Sequence, residues 1–243
     1  EIVEQIYTKL GKTAQAMVVA LKLNDHELMH EIFTQCTDPN IKKQLAFLLA
    51  RQLIVFEDEM DEELVEIATN TQLFSRFIDV SKRLQKIKPK TPDDVLQTQS
   101  DLGNRGDKNL SLIAKSFVSA FHNAGIKEDL YYTAPRGNEC IFRNHGIGRA
   151  VAMGTIATLG MLNLWDIETG LNKIDSWTNS DDDYIVMGAL TSVGIISSAV
   201  RSEFDPANAL LSGFINHKKE DIKIGAIFGF AMAYAGSARE DVL

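Results

Sequence analysis

Between residues 11 and 84 the apolar positions recur at helical spacing, and no stretch alternates as a half-buried strand would. The run AMVVALKL ends at Asn24. Asp25 then has the side chain of an N-cap, ahead of a helix with Leu28, Ile32 and Phe33 at i, i+4 and i+5. Asp38 followed by Pro39 repeats the signal, a cap and a proline suited to the first helical turn. The segment behind it places Ile41, Leu45, Leu48, Leu49 and Leu53 on one stripe. MDEELVEIATN and TQLFSRFIDVSKRL supply two shorter helices. The pattern predicts helical hairpins on short turns.

The pattern thins between 85 and 110, where two of the five prolines fall. It predicts an extended connector with one short helix at 92–99, capped by Thr91 and opened by Pro92. Helical spacing returns over 110–125 and stops at Gly125, and YYTAPRGNE reads as loop.

The second half repeats itself. GTIATLG, GALTSVG and GAIFGFA align on Gly154, Gly188 and Gly225, at offsets of 34 and 37 residues, within the range of helical solenoids. Small residues hold three places in each: Gly154, Thr158, Gly160; Gly188, Ser192, Gly194; Gly225, Gly229, Ala231. Bulky apolar ones stand between them: Ile156 and Leu159, Leu190 and Val193, Ile227 and Phe230. The longer offset also carries Trp177 onto Phe214, Asn179 onto Asn216 and Ile185 onto Ile222, so two-helix units repeat. Glycine inside a helix costs about 1 kcal/mol relative to alanine. Close approach of neighbouring backbones offsets that cost, because a small residue lets helix axes draw together. The tract 184–200 is apolar on all sides and calls for enclosure. The helix after it, with Asp205 as cap and Pro206 first, turns Ala207, Leu210, Leu211 and Phe214 inward. Each unit is thus an enclosed inner helix and a half-exposed outer one. The inner helices, about 15–17 residues, fall short of the roughly 20 that span a bilayer.

Composition changes this picture little. A formal charge of −8 disfavours a nucleic-acid partner and suits a basic protein face. Two cysteines, Cys36 and Cys140, make no disulfide framework and fit a reducing compartment. The opening EIVEQIYTKLGK has neither an initiator methionine nor a leader pattern, and SAREDVL stops as a helix begins, so the chain reads as an excerpt of a longer protein.

Candidate chemistry centres on His26-Glu27-Leu28-Met29-His30, the H-E-x-x-H spacing of zinc peptidases. That chemistry needs two histidines on one helical face, a glutamate base and a third ligand downstream. His26 follows the presumed cap, and no third ligand motif follows, so the sequence favours an exposed helix over a metallopeptidase. GIGRAVAMG lacks the third glycine and the preceding strand of a dinucleotide loop. Arg105-Gly106-Asp107 reads as a connector turn, and Trp165-Asp166 sits in a helical setting. The acidic turns carrying Asp181, Asp182 and Asp183, and Glu220 and Asp221, offer contacts for a basic partner; the competing account is that they serve helix N-termini.

The stretches GALTSVGIISSAVRSEFDPANALLSGFI, LGMLNLWDIETGLNKID and GFAMAYAGSARED resemble the proteasome/cyclosome-repeat family. ALKLNDHELMHEIFTQC, KKQLAFLLAR and KPKTPDDV are similar to the helical segment that precedes the repeats in the large scaffolds of the proteasome regulatory-particle base. A sister base scaffold and the anaphase-promoting complex share the repeat but less of the first half. Thr155 and Ala231 depart from the family's usual alanine and glycine. The resemblance implies an all-α solenoid of two-helix repeats: an N-terminal helical-hairpin segment at 1–84, a connector at 85–142, and the start of a repeat toroid at 143–243. It implies a cytoplasmic and nuclear scaffold without catalysis or cofactor. Its implied partners are the ATPase-ring subunits, ubiquitin, ubiquitin-like domains of shuttle receptors and a deubiquitinase. The repeat-packing residues it points to are Gly154, Gly160, Gly188, Gly194, Gly225, Gly229 and Ala231.

Overall fold

A computed structural model describes residues 2–85, 88–96, 108–130, 148–237 and 239. Among them the ordered elements are helices and no strand occurs. The chain forms two compact units: Glu1–Leu73 with Ala199–Ser202, and Phe74–Ser198 with Glu203–Leu243.

The first unit holds α1 (Ile2–Lys9), α2 (Thr13–Leu23), α3 (His26–Gln35), α4 (Pro39–Ala50) and α5 (Glu62–Ala68), with a 3₁₀ turn at Glu57–Glu59. The helices start where local chemistry directs. Asp25 accepts from the Leu28 amide at 3.0 Å, Asp38 from Asn40 at 2.8 Å, and Asp61 from Leu64 at 2.9 Å. Each bond satisfies an amide that the helix leaves orphaned. Asn24 ends α2 in the left-handed region, with φ 53°, while the Asp25 amide reaches back to Ala20 O. Met17, Met29, Phe33, Leu45 and Leu49 are fully buried at the centre. Burying each such side chain contributes about 1.5–3 kcal/mol relative to leaving it exposed. The predicted stripe on α4 is one residue too long. Leu53 lies past the helix at φ 56°, where its amide meets Ala50 O and the next amide meets Leu49 O, closing a Schellman turn. The short segment 199–202 joins this unit through backbone polar groups. The Arg201 amide donates to Thr69 O at 2.8 Å, and Asn70 Nδ2 donates to Ala50 O at 3.0 Å and to Ala199 O at 2.8 Å.

The second unit begins with α6 (Leu73–Arg83), α7 (Pro92–Val95) and α8 (Lys108–His122). Thr91 and Asp94 form a reciprocal capping box around α7. That helix stops at Val95, with its last backbone bond from Leu96 to Pro92, so it is shorter than the predicted 92–99; residues 97–99 lie outside the described ones. After α8, Gly125 at φ 71° turns the chain so that its amide donates to Met161 O at 2.9 Å.

The rest is α9 (Gly148–Leu162), α10 (Ile167–Thr178), α11 (Asp183–Ile196), α12 (Pro206–Leu211, continued by a 3₁₀ turn at Ser212–Phe214) and α13 (Glu220–Tyr234). Here α11 packs against α9 on one side and α13 on the other, with α10 and α12 applied outside. Ile156, Leu162, Ile174, Leu190, Ile196 and Leu211 are fully buried between them. The paired positions seen in the sequence share environments. Ile185 and Ile222 are both buried, and Trp177 and Phe214 both pack on the edge of this core.

Three expectations for this region are corrected. Asp205 does not cap α12. Its backbone is left-handed, φ 40°, and its carboxylate is taken by the Tyr234 hydroxyl and by Arg239 at 2.6 Å. Leu210 is 39% exposed, because α12 is short and only Ala207 and Leu211 meet the core. Enclosure on all sides holds for α11 but not for α13, which leaves Ile224, Ile227, Phe228 and Met232 exposed. Among the described residues, no helix is long and apolar enough to cross a membrane.

Candidate functional site

The H-E-x-x-H segment forms the first half of α3, with Asp25 as cap and His26 as the first helical residue. His26, Glu27 and His30 are exposed. His30 sets its ring edge-on against Phe56, centroids 5.1 Å apart. The helix turns its apolar side, Met29, Ile32 and Phe33, into the core, which leaves the histidines on the wet side. No group of three or more His, Cys, Asp or Glu side chains that could hold a metal ion occurs among the described residues. His26→Ala is expected to change stability by less than about 0.5 kcal/mol. His30→Ala should cost about 1 kcal/mol through the lost ring contact. Dialysis against a chelator should leave the thermal midpoint of the parent chain unmoved, and a drop on chelation with recovery in zinc would assign the segment to metal.

The glycines of the repeat define a register. A methyl on Gly188 would stand 2.5 Å from Met153 O on α9, and one on Gly225 would stand 2.7 Å from Met187 O on α11. In both, the first glycine of a unit rests on the residue preceding the first glycine of the unit before. The third small position looks the other way. A methyl on Gly160 would stand 2.9 Å from Ser192 Cα, and one on Gly194 would stand 2.6 Å from Gly229 Cα. Gly229 in turn meets Leu190 O at 2.5 Å. The backbone-to-backbone seam is thus set twice with the same offsets. Ser192 adds a bond across it, donating to Ile156 O at 2.5 Å. Two of the repeat residues stand outside this arrangement. A methyl on Gly154 meets nothing within 4 Å, and Ala231 is exposed. Ala231 occupies on α13 the place from which Gly160 and Gly194 face the following inner helix.

The same translation organises the exposed side of α13. Met187, Leu190 and Gly194 are the α11 residues that receive α13. Shifted by 37 residues they become Ile224, Ile227 and Ala231, all exposed. Phe228 and Met232 flank them, at 50% and 45% exposure. This is a continuous apolar strip in the register of an inter-helix seam.

The acidic turns divide by use. Asp182 caps α11, accepting from the Tyr184 amide at 2.9 Å, and Asp183 pairs with Lys219 at 2.7 Å. Asp181 and Glu220 are exposed and Asp221 is half-buried at the start of α13. Two polar clusters escaped the sequence. Asp166, after the dipeptide Trp165-Asp166, caps α10 through the Thr169 amide and hydroxyl and receives Lys127 Nζ. Lys127 also lies over the Phe74 ring, 4.1 Å from its centroid. Burial alone would raise the Asp166 pKa; bonds from Lys127 and Thr169, with the Lys127 charge, outweigh it and hold it below the usual value. At Tyr234, burial and the hydrogen-bonded Asp205 carboxylate hold the hydroxyl well above the ordinary phenol range. A cap signal in Asp166-Ile167 was legible; the distant partners were not. Cys140 lies outside the described residues, and Cys36 is half-buried.

Comparison with known proteins gives this stack a context. Residues 1–100 match the RPN1 N-terminal domain family. The chain is 37% identical over 241 residues to the 26S proteasome non-ATPase regulatory subunit 2 of Dictyostelium discoideum, covering 98% of this chain and 27% of that protein. It is 35% identical over 248 residues to the 26S proteasome regulatory subunit rpn1 of Schizosaccharomyces pombe, covering 98% and 27%. With rpn-1 of Neurospora crassa it shares 34% over 255 residues, covering 100% and 28%. The chain therefore spans little more than a quarter of the length of these relatives. Matched along nearly all of its own residues, it belongs to the family of the 26S proteasome regulatory subunit Rpn1, also named non-ATPase regulatory subunit 2.

Proposed function

We propose that this chain is part of a non-catalytic scaffold of the proteasome regulatory-particle base. In this reading it docks on the ATPase ring and contributes to binding ubiquitin, ubiquitin-like shuttle receptors and a deubiquitinase in the cytoplasm and nucleus. The glycine-registered seam of α9, α11 and α13 carries the reading, taken with the names of the relatives. A solenoid assembled by close backbone contact is a stiff support whose outer helices and turns remain for partners. The strip Ile224, Ile227, Phe228 and Met232 fits a further helix of the same kind, with glycine opposite Ile224 and a small residue opposite Ala231. Asp181, Glu220 and Asp221 are the acidic groups this reading leaves for a basic ubiquitin-like face; Asp182 and Asp183 serve α11 and Lys219 first.

Affinity purification of the tagged protein from its own cells tests the assignment. The expected result is co-migration with ATPase-ring subunits at a mass far above the 27.0 kDa of this chain. Recovery with anaphase-promoting-complex subunits and without the ring would replace it with the sister-scaffold reading. Charge reversal at Asp181 and Glu220 that leaves ubiquitin-like-domain binding unchanged would remove the acidic turns from the partner surface.

A further inference from the structure

Helix α1 sets a carboxylate, Glu4, beside the half-buried Tyr7 on the side that meets the core. Ile2, Val3, Ile6 and Leu10 are exposed, whereas Glu4 is only 8% exposed. Its carboxylate accepts one hydrogen bond, from Thr8 Oγ1 at 2.8 Å, and no cation pairs with it among the described residues. A carboxylate with one hydrogen bond and no counter-charge keeps capacity to accept from a cation. Glu4 lines a groove of about 540 Å³ between α1 and α3, within the usual range of binding clefts. Leu28 and Ile32 supply apolar wall, and Asp25 and Glu31 add two carboxylates against a single cation, Lys9. Asp25 caps α3 and Glu31 accepts from Gln35, and both are exposed; Glu4 lines the groove with its one bond, from Thr8.

We propose that this groove is a docking site for a basic segment of a partner protein, one aliphatic side chain lying on Leu28 and Ile32 and a lysine or arginine pairing with Glu4. The groove's charge selects the occupant: three carboxylates to one ammonium reject an acidic segment, and the apolar wall asks for more than a bare cation. The site is independent of the scaffold reading, because it is tested on the purified chain alone.

The probe is a short fluorescein-labelled peptide of repeated Lys-Leu-Leu-Lys, with its Glu-Leu-Leu-Glu counterpart as control. Anisotropy should show saturable binding of the basic peptide only, and amide shifts should map to α1 and α3. Glu4→Gln, which keeps the shape and the Thr8 bond, should weaken binding about 30-fold or more. The thermal midpoint of the free chain should stay unchanged, so that the loss of binding reports the site and not the fold. Equal binding to Glu4→Gln, binding of the acidic control, shifts mapping elsewhere, or no binding at millimolar peptide would each overturn the proposal. Spermine binding as tightly as the peptide would overturn the protein-segment occupant.

Discussion

Gly194→Ala is expected to destabilise the second unit by about 3 kcal/mol or more, the upper part of the range for overpacked cores. The added methyl would stand 2.6 Å from both the carbonyl carbon and Cα of Gly229. Those atoms belong to the backbone of α13, so no rotamer change relieves the overlap. The two helices must separate, and the dispersion contacts along their seam weaken together. Better helix propensity returns only about 1 kcal/mol. Gly154→Ala is the control. It holds the first small place of the repeat in α9, meets nothing within 4 Å, and should gain about 0.5–1 kcal/mol. Both tryptophans, Trp165 and Trp177, lie in the second unit, so urea unfolding followed by their fluorescence reports this unit. Equal midpoints for the two variants would mean that α11 and α13 do not meet at Gly194.

That opposition of sign was hidden in the sequence. Recurrence of small residues marks where backbones approach, because only a missing side chain permits the distance. It does not say which neighbour is met. Gly188 and Gly225 look back to the preceding helix, Gly160 and Gly194 look forward, and Gly154 looks at neither. Direction depends on how the helices are placed, which local pattern does not encode. The same limit explains α13. Past its charged first turn it is apolar all round, yet one side stays open, because enclosure is a property of neighbours.

Three caps were legible because their bonds are local. Asp25, Asp38 and Thr91 each bind an amide two or three residues on, so sequence spacing contains the whole interaction. Asp205 precedes Pro206 in the same way, but Tyr234 and Arg239, 29 and 34 residues downstream, take its carboxylate. A bond to a phenol and a guanidinium outcompetes one to a helix amide, and the backbone then turns left-handed. Glu4 is the extreme case. In α1 the fold places Glu4 inward and leaves Ile2 and Ile6 exposed. Helices α2 and α3 have already filled the core with Met17, Met29 and Phe33. Nothing within α1 records that.

Asp166→Ala is expected to cost about 3 kcal/mol, combining a lost helix cap, typically about 1 kcal/mol, with a lysine stripped of its partner. Lys127 would remain against the Phe74 ring with no carboxylate beside it. The ring and the Thr169 hydroxyl, which also receives Lys127 Nζ at 3.0 Å, hold a cation only weakly at a partly exposed site. Asp166→Asn keeps an acceptor for the Thr169 amide and removes the charge, so it should lose less. Acid titration separates charge from cap. The folded-state pKa of Asp166 is lowered, so the ionised form is bound more tightly in the native protein. Its contribution is therefore full above the unfolded value of about 3.9 and is lost as pH falls through the lower folded one. The stability gap between the parent chain and Asp166→Asn should stay constant from about pH 7 to pH 5 and close below about pH 4. Lys127→Met should lose most of the same acid-sensitive increment, because Lys127 supplies both the leading bond and the charge that lower the pKa. A gap that persists unchanged to about pH 2 would show that the carboxylate acts through shape alone, and the Lys127–Asp166 pair would then have no electrostatic part in joining α10 to the turn after α8.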